Sequence, residues 1–358
     1  MTEALRLPAE KAWAEELAAL RADEGMRPDG WEMTPRSVVT YLIGGKAQNG
    51  TPISPKYIGN RRLMETAVAT LATDRALLLL GVPGTAKSWV SEHLTAAVTG
   101  DSTMTIQCTA GTDENQVRYG WNYAQLLAHG PSEEALVPTP LFRAMKDGKI
   151  CRMEELTRMG SDVQDTLITV LSEKMLPIPE LNSAVYAQRG FNVIATANNR
   201  DKGVNELSSA LKRRFNVVVL PLPTDMEEEV SIVTRRVAEM GESLKLPVPS
   251  NAEAEIRKVL TIFRELRDGR TVDGKTALKA TTGNLSTAEA IAVMVGGLSQ
   301  SAFFSSGDLA ADEIVPSLMG AIIKDPIQDK QVVEEYLETV LKKRKDYAGY
   351  YSVMNELV

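Results

Sequence analysis

The stretch Gly81-Val82-Pro83-Gly84-Thr85-Ala86-Lys87-Ser88 follows an apolar run, Ala76 to Leu80, and leads into a helical pattern that opens at Trp89. Strand, tight loop and helix in that order make an anion site, because loop N–H groups and the helix N-terminus converge on one point. The spacing approaches the phosphate-loop pattern G-x-x-x-x-G-K-[ST], in which Lys87 reaches the β and γ phosphates of a nucleotide and Ser88 holds Mg2+. One position departs from it, since Ala86 stands where the second glycine is required. An alanine there is expected to keep φ below zero, as its Cβ otherwise collides with the backbone. Gly81, Val82, Pro83, Gly84, Thr85, Ala86, Lys87, Ser88 and Trp89 are thus the candidate nucleotide contacts of this stretch.

The chain has 358 residues, more than one ordinary hydrophobic core organises, so two packed units with short extensions are expected. Hydrophobic residues make up 44%, charged residues 24% and aromatics 5%, which describes aliphatic cores and excludes wholesale disorder. The net charge of −7 argues against a broad electrostatic footprint for nucleic acid. Cys108 and Cys151 lie in apolar runs with no further Cys or His at ligand spacing, so they read as buried thiols rather than a zinc site or a disulfide framework. His93 and His129 likewise have no neighbour suited to catalysis or metal binding and read as structural. No apolar run is long enough to span a bilayer and no cleavable N-terminal apolar segment stands out, so a cytoplasmic location is expected.

Along the chain, residues 1–49 form an extension and linker. Leu5, Trp13, Leu17 and Leu20 on a charged background read as an amphipathic helix, whose face packs on its own chain or docks on the C-terminal unit, a neighbour or a partner. Gly44 to Pro55 is a loop. Residues 50–223 carry the runs Ala76–Leu80, Thr103–Cys108, Lys149–Glu154, Phe191–Ala197 and Asn216–Leu220, suited to buried parallel strands and separated mostly by helical stretches. The fold class expected is therefore α/β, a phosphate-loop five-stranded parallel sheet with helices on both faces and its ligand at the carboxyl ends of the strands. Ile58 and Gly59, ahead of a helix at Arg61 to Leu71, are candidates for packing on the base of the nucleotide. Two stretches interrupt the pattern. Tyr119 to Tyr123 reads as a small hairpin core or as a stacking surface, and Met175 to Gln188 as an edge hairpin with an exposed tip. Residues 224–358 turn helical, near Met226–Glu242, Ala252–Leu266, Ser286–Gly296, Asp312–Ile323 and Val332–Lys345, with Lys342 to Lys345 closing the last long helix against its C-terminal dipole.

Phosphoryl transfer to water needs a phosphate cradle, Mg2+, a carboxylate that orients the water and positive charge on the transition state. Glu154 and Glu155 end the third apolar run, and Asn198 and Asn199 end the fourth. Glu154 is the candidate for the Mg2+ shell with Ser88, Glu155 for orienting the water, and Asn198 for bonding the water or the γ-phosphate. Arg213 and Arg214, ahead of Phe215, offer the positive charge.

In order and spacing these motifs resemble the AAA+ ATPases, and among them the MoxR-like branch with its helix-2 insert and pre-sensor hairpin, over residues 57–223. The resemblance implies a variant phosphate loop that tolerates Ala before Lys. It also implies that Asn198 is the sensor of the strand Phe191-Asn-Val-Ile-Ala-Thr-Ala-Asn198, that Arg214 is an arginine finger, that the two interruptions are the two inserts, and that the helical unit is an α-helical lid. Two departures stand out: Ile150-Cys-Arg152-Met-Glu154-Glu155 where an Asp-Glu pair follows apolar residues, and Ala288 where an Arg is expected in the lid, with Lys275 and Lys279 as nearby cations. The activity implied is ATP hydrolysis with Mg2+ by a ring homo-oligomer, a hexamer, that remodels a protein client through a partner with a von Willebrand factor A domain. A nucleotide-gated scaffold with little hydrolysis is the alternative, and a nucleic-acid motor a weaker one.

Overall fold

The structure is a computed structural model that describes residues 6–198, 205–305 and 308–358. Leu5 and Asn199 lie outside the described residues. The chain divides into two compact units, Met1–Val82 with Ala86–Pro221, and Pro83–Thr85 with Leu222–Val358.

The first unit is built on five parallel strands: β1 (Ala76–Gly81), β2 (Thr105–Gln107), β3 (Ile150–Glu154), β4 (Asn192–Asn198) and β5 (Phe215–Val219). Their order across the sheet is β5-β1-β4-β3-β2. This is the α/β parallel sheet expected. Because side chains alternate across a strand, each run serves two cores at once. Leu77, Leu79, Ile150, Ile194 and Val218 pack on one face with α2 (Pro35–Ile43), α3 (Arg61–Leu71) and α4 (Lys87–Thr99). Leu78, Cys151, Met153, Val193, Ala195 and Phe215 pack on the other with α5 (Pro140–Asp147) and α6 (Leu167–Glu173). Each such leucine, fully buried, contributes about 2 kcal/mol, so a polar residue on either face is conspicuous. Caps start the helices where the sequence offers them: Asn60 accepts from the N–H of Arg62 ahead of α3, and Thr139 from that of Phe142 ahead of α5.

The N-terminal segment packs on its own chain. It is two short helices rather than one, the second being α1 (Ala14–Arg21). Trp13 meets Trp89 edge to face with ring centres 5.5 Å apart, and Arg6 Nη2 lies 2.5 Å from Glu92 on α4. Of the two inserted stretches, Tyr119–Trp121 pairs antiparallel with Leu136–Pro138. Tyr119 and Trp121 supply apolar packing while Tyr123 is exposed. Met175–Ile178 pairs antiparallel with Ser183–Tyr186, a hairpin as expected but in a two-stranded sheet of its own rather than at the edge of the five-stranded one, with Glu180 exposed at its tip.

The second unit is helical. Its main elements are α7 (Met226–Leu244), α8 (Ala252–Asp268), α9 (Thr287–Phe304), α10 (Ala311–Ile322), α11 (Gln328–Thr339) and α12 (Ala348–Leu357). Ser286 and Glu289 close a capping box at the start of α9. One expectation fails here. Lys342–Lys345 does not end a long helix, because α11 stops at Thr339 and short 3-10 turns follow before α12. The physical reason is Arg344, whose guanidinium turns inward to make two hydrogen bonds to the fully buried Glu265, at 3.0 and 2.7 Å. Lys275 and Lys279 are ion-paired within this unit, to Asp273 at 3.8 Å and Glu335 at 2.9 Å.

Candidate nucleotide site

The parallel register sets the carboxyl ends of neighbouring strands side by side, with Gly81 of β1 opposite Asn198 of β4, and Gln107 of β2 opposite Glu154 of β3. Gly81, Glu154, Glu155 and Asn198 are therefore brought together at one edge of the sheet, as the strand-end argument requires.

From Gly81 the chain turns into α4 through Ala86, whose φ is +60°. This overturns the expectation of a negative φ. A left-handed alanine costs roughly 1–2 kcal/mol, and the loop bears that cost because the turn into α4 fixes the backbone there. Pro83, Gly84 and Thr85 group with the helical unit, and Gly84 has φ +83°. Lys87 is buried, 6% exposed, and its ammonium donates to the carbonyls of Gly81 at 3.1 Å and Val82 at 3.0 Å. Ser88 is exposed and its hydroxyl donates to Glu154 Oε2 at 2.6 Å. The indole of Trp89 donates to the Lys56 carbonyl at 2.8 Å. That bond ties α4 to the segment leading to Ile58, half-buried, and Gly59, exposed with φ +144°. A Cβ at Gly59 would come within 2.8 Å of the Tyr57 hydroxyl.

Glu154 is 4% exposed and every lone-pair direction is met by a protein donor. Ser88 and Thr196 donate to Oε2 at 2.6 and 2.7 Å, while Ser91 and the Arg152 guanidinium donate to Oε1 at 2.5 and 2.8 Å. Burial alone raises the pKa of this carboxyl. The Arg152 charge and the three hydroxyls more than offset that, and hold Glu154 below the usual range, ionised. Arg152 makes the buried strand tolerate its charge by spending its donors on Ser91 Oγ, the Ser102 and Ser88 carbonyls, each at 3.1 Å, and Glu154. Glu155 sits left-handed at φ +58°, its N–H donating to Thr196 Oγ1 at 3.1 Å. Asn198 Nδ2 donates to both its carboxylate oxygens, and Arg158 Nε lies 3.5 Å from Oε2. Non-glycine residues held at positive φ on either side of the site are strain of the kind that clusters where function fixes geometry.

The hard oxygen donors of Ser88 and Glu154 fit Mg2+, which takes few protein ligands and completes its shell with water and phosphate oxygens. No cluster of three or more His, Cys, Asp or Glu suited to a metal occurs among the described residues. Arg214 donates to Ser172 Oγ at 2.8 Å and the Ala210 carbonyl at 2.7 Å, whereas Arg213 is exposed and its Nε lies 3.2 Å from the Ser209 carbonyl. His93 Nδ1 is 2.8 Å from the Tyr41 hydroxyl inside an aromatic cluster, a structural role. Burial pushes the Cys108 thiol up to about 12, with the charges of Glu154 and Glu155 adding, so it is no nucleophile at neutral pH.

Sequence reasoning missed Arg152, Ser91 and Thr196 as parts of the site. The signals were present: Arg152 is two residues before Glu154, Thr196 two before Asn198 on β4, and Ser91 three after Ser88 on α4, each spacing placing the pair on one face.

Residues 76–215 match the AAA domain (dynein-related subfamily), and residues 227–353 match the YehL-like AAA+ ATPase C-terminal domain. The YehL protein of Escherichia coli (strain K12) is 40% identical over 363 residues, covering 98% of this chain and 97% of its own. A protein of Staphylococcus aureus (strain USA300) is 29% identical over 154 residues, 42% of this chain and 57% of its own. Among solved structures, NtrX from Brucella abortus in complex with ATP aligns with a TM-score of 0.50 at 14% identity, over 85% of this chain and 66% of that one. The same protein in complex with ADP aligns with a TM-score of 0.50 at 13%, over 78% and 58%, so both likenesses speak to the fold alone. With strand ends, loop and both halves of the sequence in agreement, the chain belongs to the nucleotide-binding AAA+ ATPases, in the family of YehL.

Proposed function

We propose that the protein is an Mg2+-dependent ATPase of the MoxR-like branch that works as a ring, with residues 50–223 binding and hydrolysing ATP and residues 224–358 serving as the lid. One observation carries the reading: Ser88, in the first turn of α4, meets Glu154, Glu155 and Asn198 at the ends of two adjacent parallel strands, the four linked with Thr196 by hydrogen bonds of 2.6 to 3.1 Å. The loop from Gly81 to Ser88 cradles the polyphosphate, and Lys87 shifts from its loop carbonyls to the β and γ phosphates. Ser88 with Glu154 would hold Mg2+, which supplies charge neutralisation on the phosphates when bound. Glu155, clamped by Asn198, orients a water in line with the γ-phosphate and accepts its proton as the bond to phosphorus forms and ADP leaves. Arg213 or Arg214 meets the charge on the transferring phosphoryl group of the neighbouring subunit.

By the same branch likeness the ring is a hexamer and remodels a protein client with a von Willebrand factor A domain partner. The saturated hydrogen bonding of Glu154 favours a second reading, a nucleotide-gated scaffold with slow turnover, since a metal has to compete with Ser88, Ser91, Thr196 and Arg152 for that carboxylate. Phosphate release measured beside ATP affinity separates the two. With hydrolysis, Glu155→Gln binds ATP as the parent does and releases no phosphate. If parent and variant release phosphate equally, Glu155 is not the catalytic carboxylate. If neither turns over while both bind, the scaffold reading stands.

A further inference from the structure

The pairing of Arg152 with Glu154 is more than the support of a strand. Residues i and i+2 of β3 share a face, and the preceding residue on that face, Ile150, packs into the aliphatic core against α4. An aliphatic residue at 152 would continue that core. Replacing a buried ion pair by apolar residues is commonly neutral or stabilising, so stability does not account for a guanidinium here. Its donors point elsewhere. Arg152 Nη2 bridges Glu154 Oε1 at 2.8 Å and the carbonyl of Ser88 at 3.1 Å, joining the strand-end carboxylate to the first turn after the phosphate loop. Nε donates to Ser91 Oγ, which itself donates to Glu154 Oε1 at 2.5 Å. Nη1 donates to the Ser102 carbonyl, whose residue is in turn held by Glu10 of the N-terminal segment through bonds of 3.2 and 2.7 Å. The guanidinium is thereby fixed from four directions with its charge on the carboxylate that faces Ser88.

We propose that Arg152 is a positioning residue and the fixed counter-ion of the nucleotide site: it keeps Glu154 turned toward Ser88 and supplies part of the positive charge that Mg2+ otherwise brings, so ATP binding depends only weakly on Mg2+. The inference rests on the reading of Gly81 to Ser88 as the polyphosphate cradle. Without Arg152, a buried and uncompensated Glu154 repels ATP until a divalent cation arrives. With it, the carboxylate is neutralised in advance.

The test is the ratio of ATP dissociation constants in EDTA and in millimolar Mg2+, measured by calorimetry on the full chain. For one fixed charge in a partly buried site the parent ratio should stay below about tenfold, and Arg152→Met should raise it by about tenfold or more through weaker binding in EDTA, with Arg152→Lys near the parent. Equal weakening in both conditions, with the ratio unchanged, means a structural role only and overturns the proposal. Should Arg152→Met fail to fold, Glu154→Gln decides. Arg152 is then uncompensated, so ATP in EDTA should bind more tightly than to the parent, and weaker binding overturns the proposal. A parent ratio above about a hundredfold also overturns it. Failure of the parent to bind ATP in either condition sinks the nucleotide-site reading and this inference together, whereas ATP binding with an unchanged ratio sinks this inference alone.

Discussion

Asn198 Nδ2 lies 3.1 and 2.9 Å from the two carboxylate oxygens of Glu155, so an amide at the end of β4 clamps a carboxylate at the end of β3. The clamp matters because Glu155 is also held left-handed at φ +58°, and an acidic side chain on a strained backbone has its direction set by partners rather than by rotamer preference. Asn198→Ala should leave ATP affinity within a few-fold of the parent and lower the turnover rate by roughly 10- to 1000-fold, the range for losing one oriented donor at a reacting centre. Single-turnover phosphate release at saturating ATP reads it. A turnover rate that does not move removes Asn198 from the site.

Lys87→Ala should lose ATP affinity by roughly 10- to 100-fold, the worth of a charge-assisted contact. Its ammonium also donates to the carbonyls of Gly81 and Val82 and its stem is buried, so stability is expected to fall by about 1–2 kcal/mol rather than hold level. Binding is therefore to be compared well below the unfolding transition. Affinity equal to the parent's in the folded variant rules out the loop assignment.

Arg214 is tied to Ser172 and Ala210 of its own chain, while Arg213 is the exposed member of the pair. If one of them completes a neighbour's site, its alanine variant should keep ATP affinity and lose roughly 10³- to 10⁵-fold in turnover. Mixing that variant with Lys87→Ala should restore part of the activity at interfaces that pair an intact loop with an intact finger. Mixtures that stay inactive although a ring forms would place the whole site within one chain. Running both arginine variants identifies which guanidinium acts, since only its loss gives the effect.

In the helical unit, Glu265 is fully buried and accepts two hydrogen bonds from Arg344 and one from Tyr336 at 2.6 Å. Glu265→Ala leaves the guanidinium of Arg344 and the Tyr336 hydroxyl without their carboxylate in a buried setting. A loss of about 3–5 kcal/mol is expected, read as a lowered denaturation midpoint. A loss below about 1 kcal/mol, the worth of an exposed pair, means that water reaches Arg344.

Asp329 accepts from the N–H groups of Thr282, Lys324 and Asp325, at 2.7, 2.9 and 2.8 Å, and from the Thr282 hydroxyl at 2.8 Å. Burial pulls its pKa up, and these donors, which favour the ionised form, pull it down further, to a net value below that of an ordinary aspartate. A depressed carboxyl contributes stability that is present above the unfolded pKa and is lost as pH falls through the folded one. The parent should therefore lose stability on acidification below the ordinary aspartate range, and Asp329→Asn should lose less of its own over the same interval. Parallel pH profiles for the two would show that Asp329 does not contribute.

The sequence by itself determined the strands, the loop and most of the helices, because each rests on a local pattern: five buried apolar runs, a loop chemistry that only a strand and a helix can flank, and 3.6-residue periodicity beyond Pro223. It also placed Glu154, Glu155 and Asn198 at strand ends, since parallel α/β sheets put their ligands there. The tertiary structure decided what depends on distant partners. Ala86 is left-handed because the path from β1 into α4 fixes the turn, whatever alanine prefers. The helix over 332–345 breaks at Thr339 because Arg344 must reach Glu265, a residue 79 positions away. Above all, Arg152 looked like a misplaced charge in a buried strand. Only the packing of α4 on β3 brings Ser88 and Ser91 to the carboxylate that Arg152 neutralises. Periodicity tells which face a side chain takes, but the identity of what lies across that face is set by the folding of remote segments.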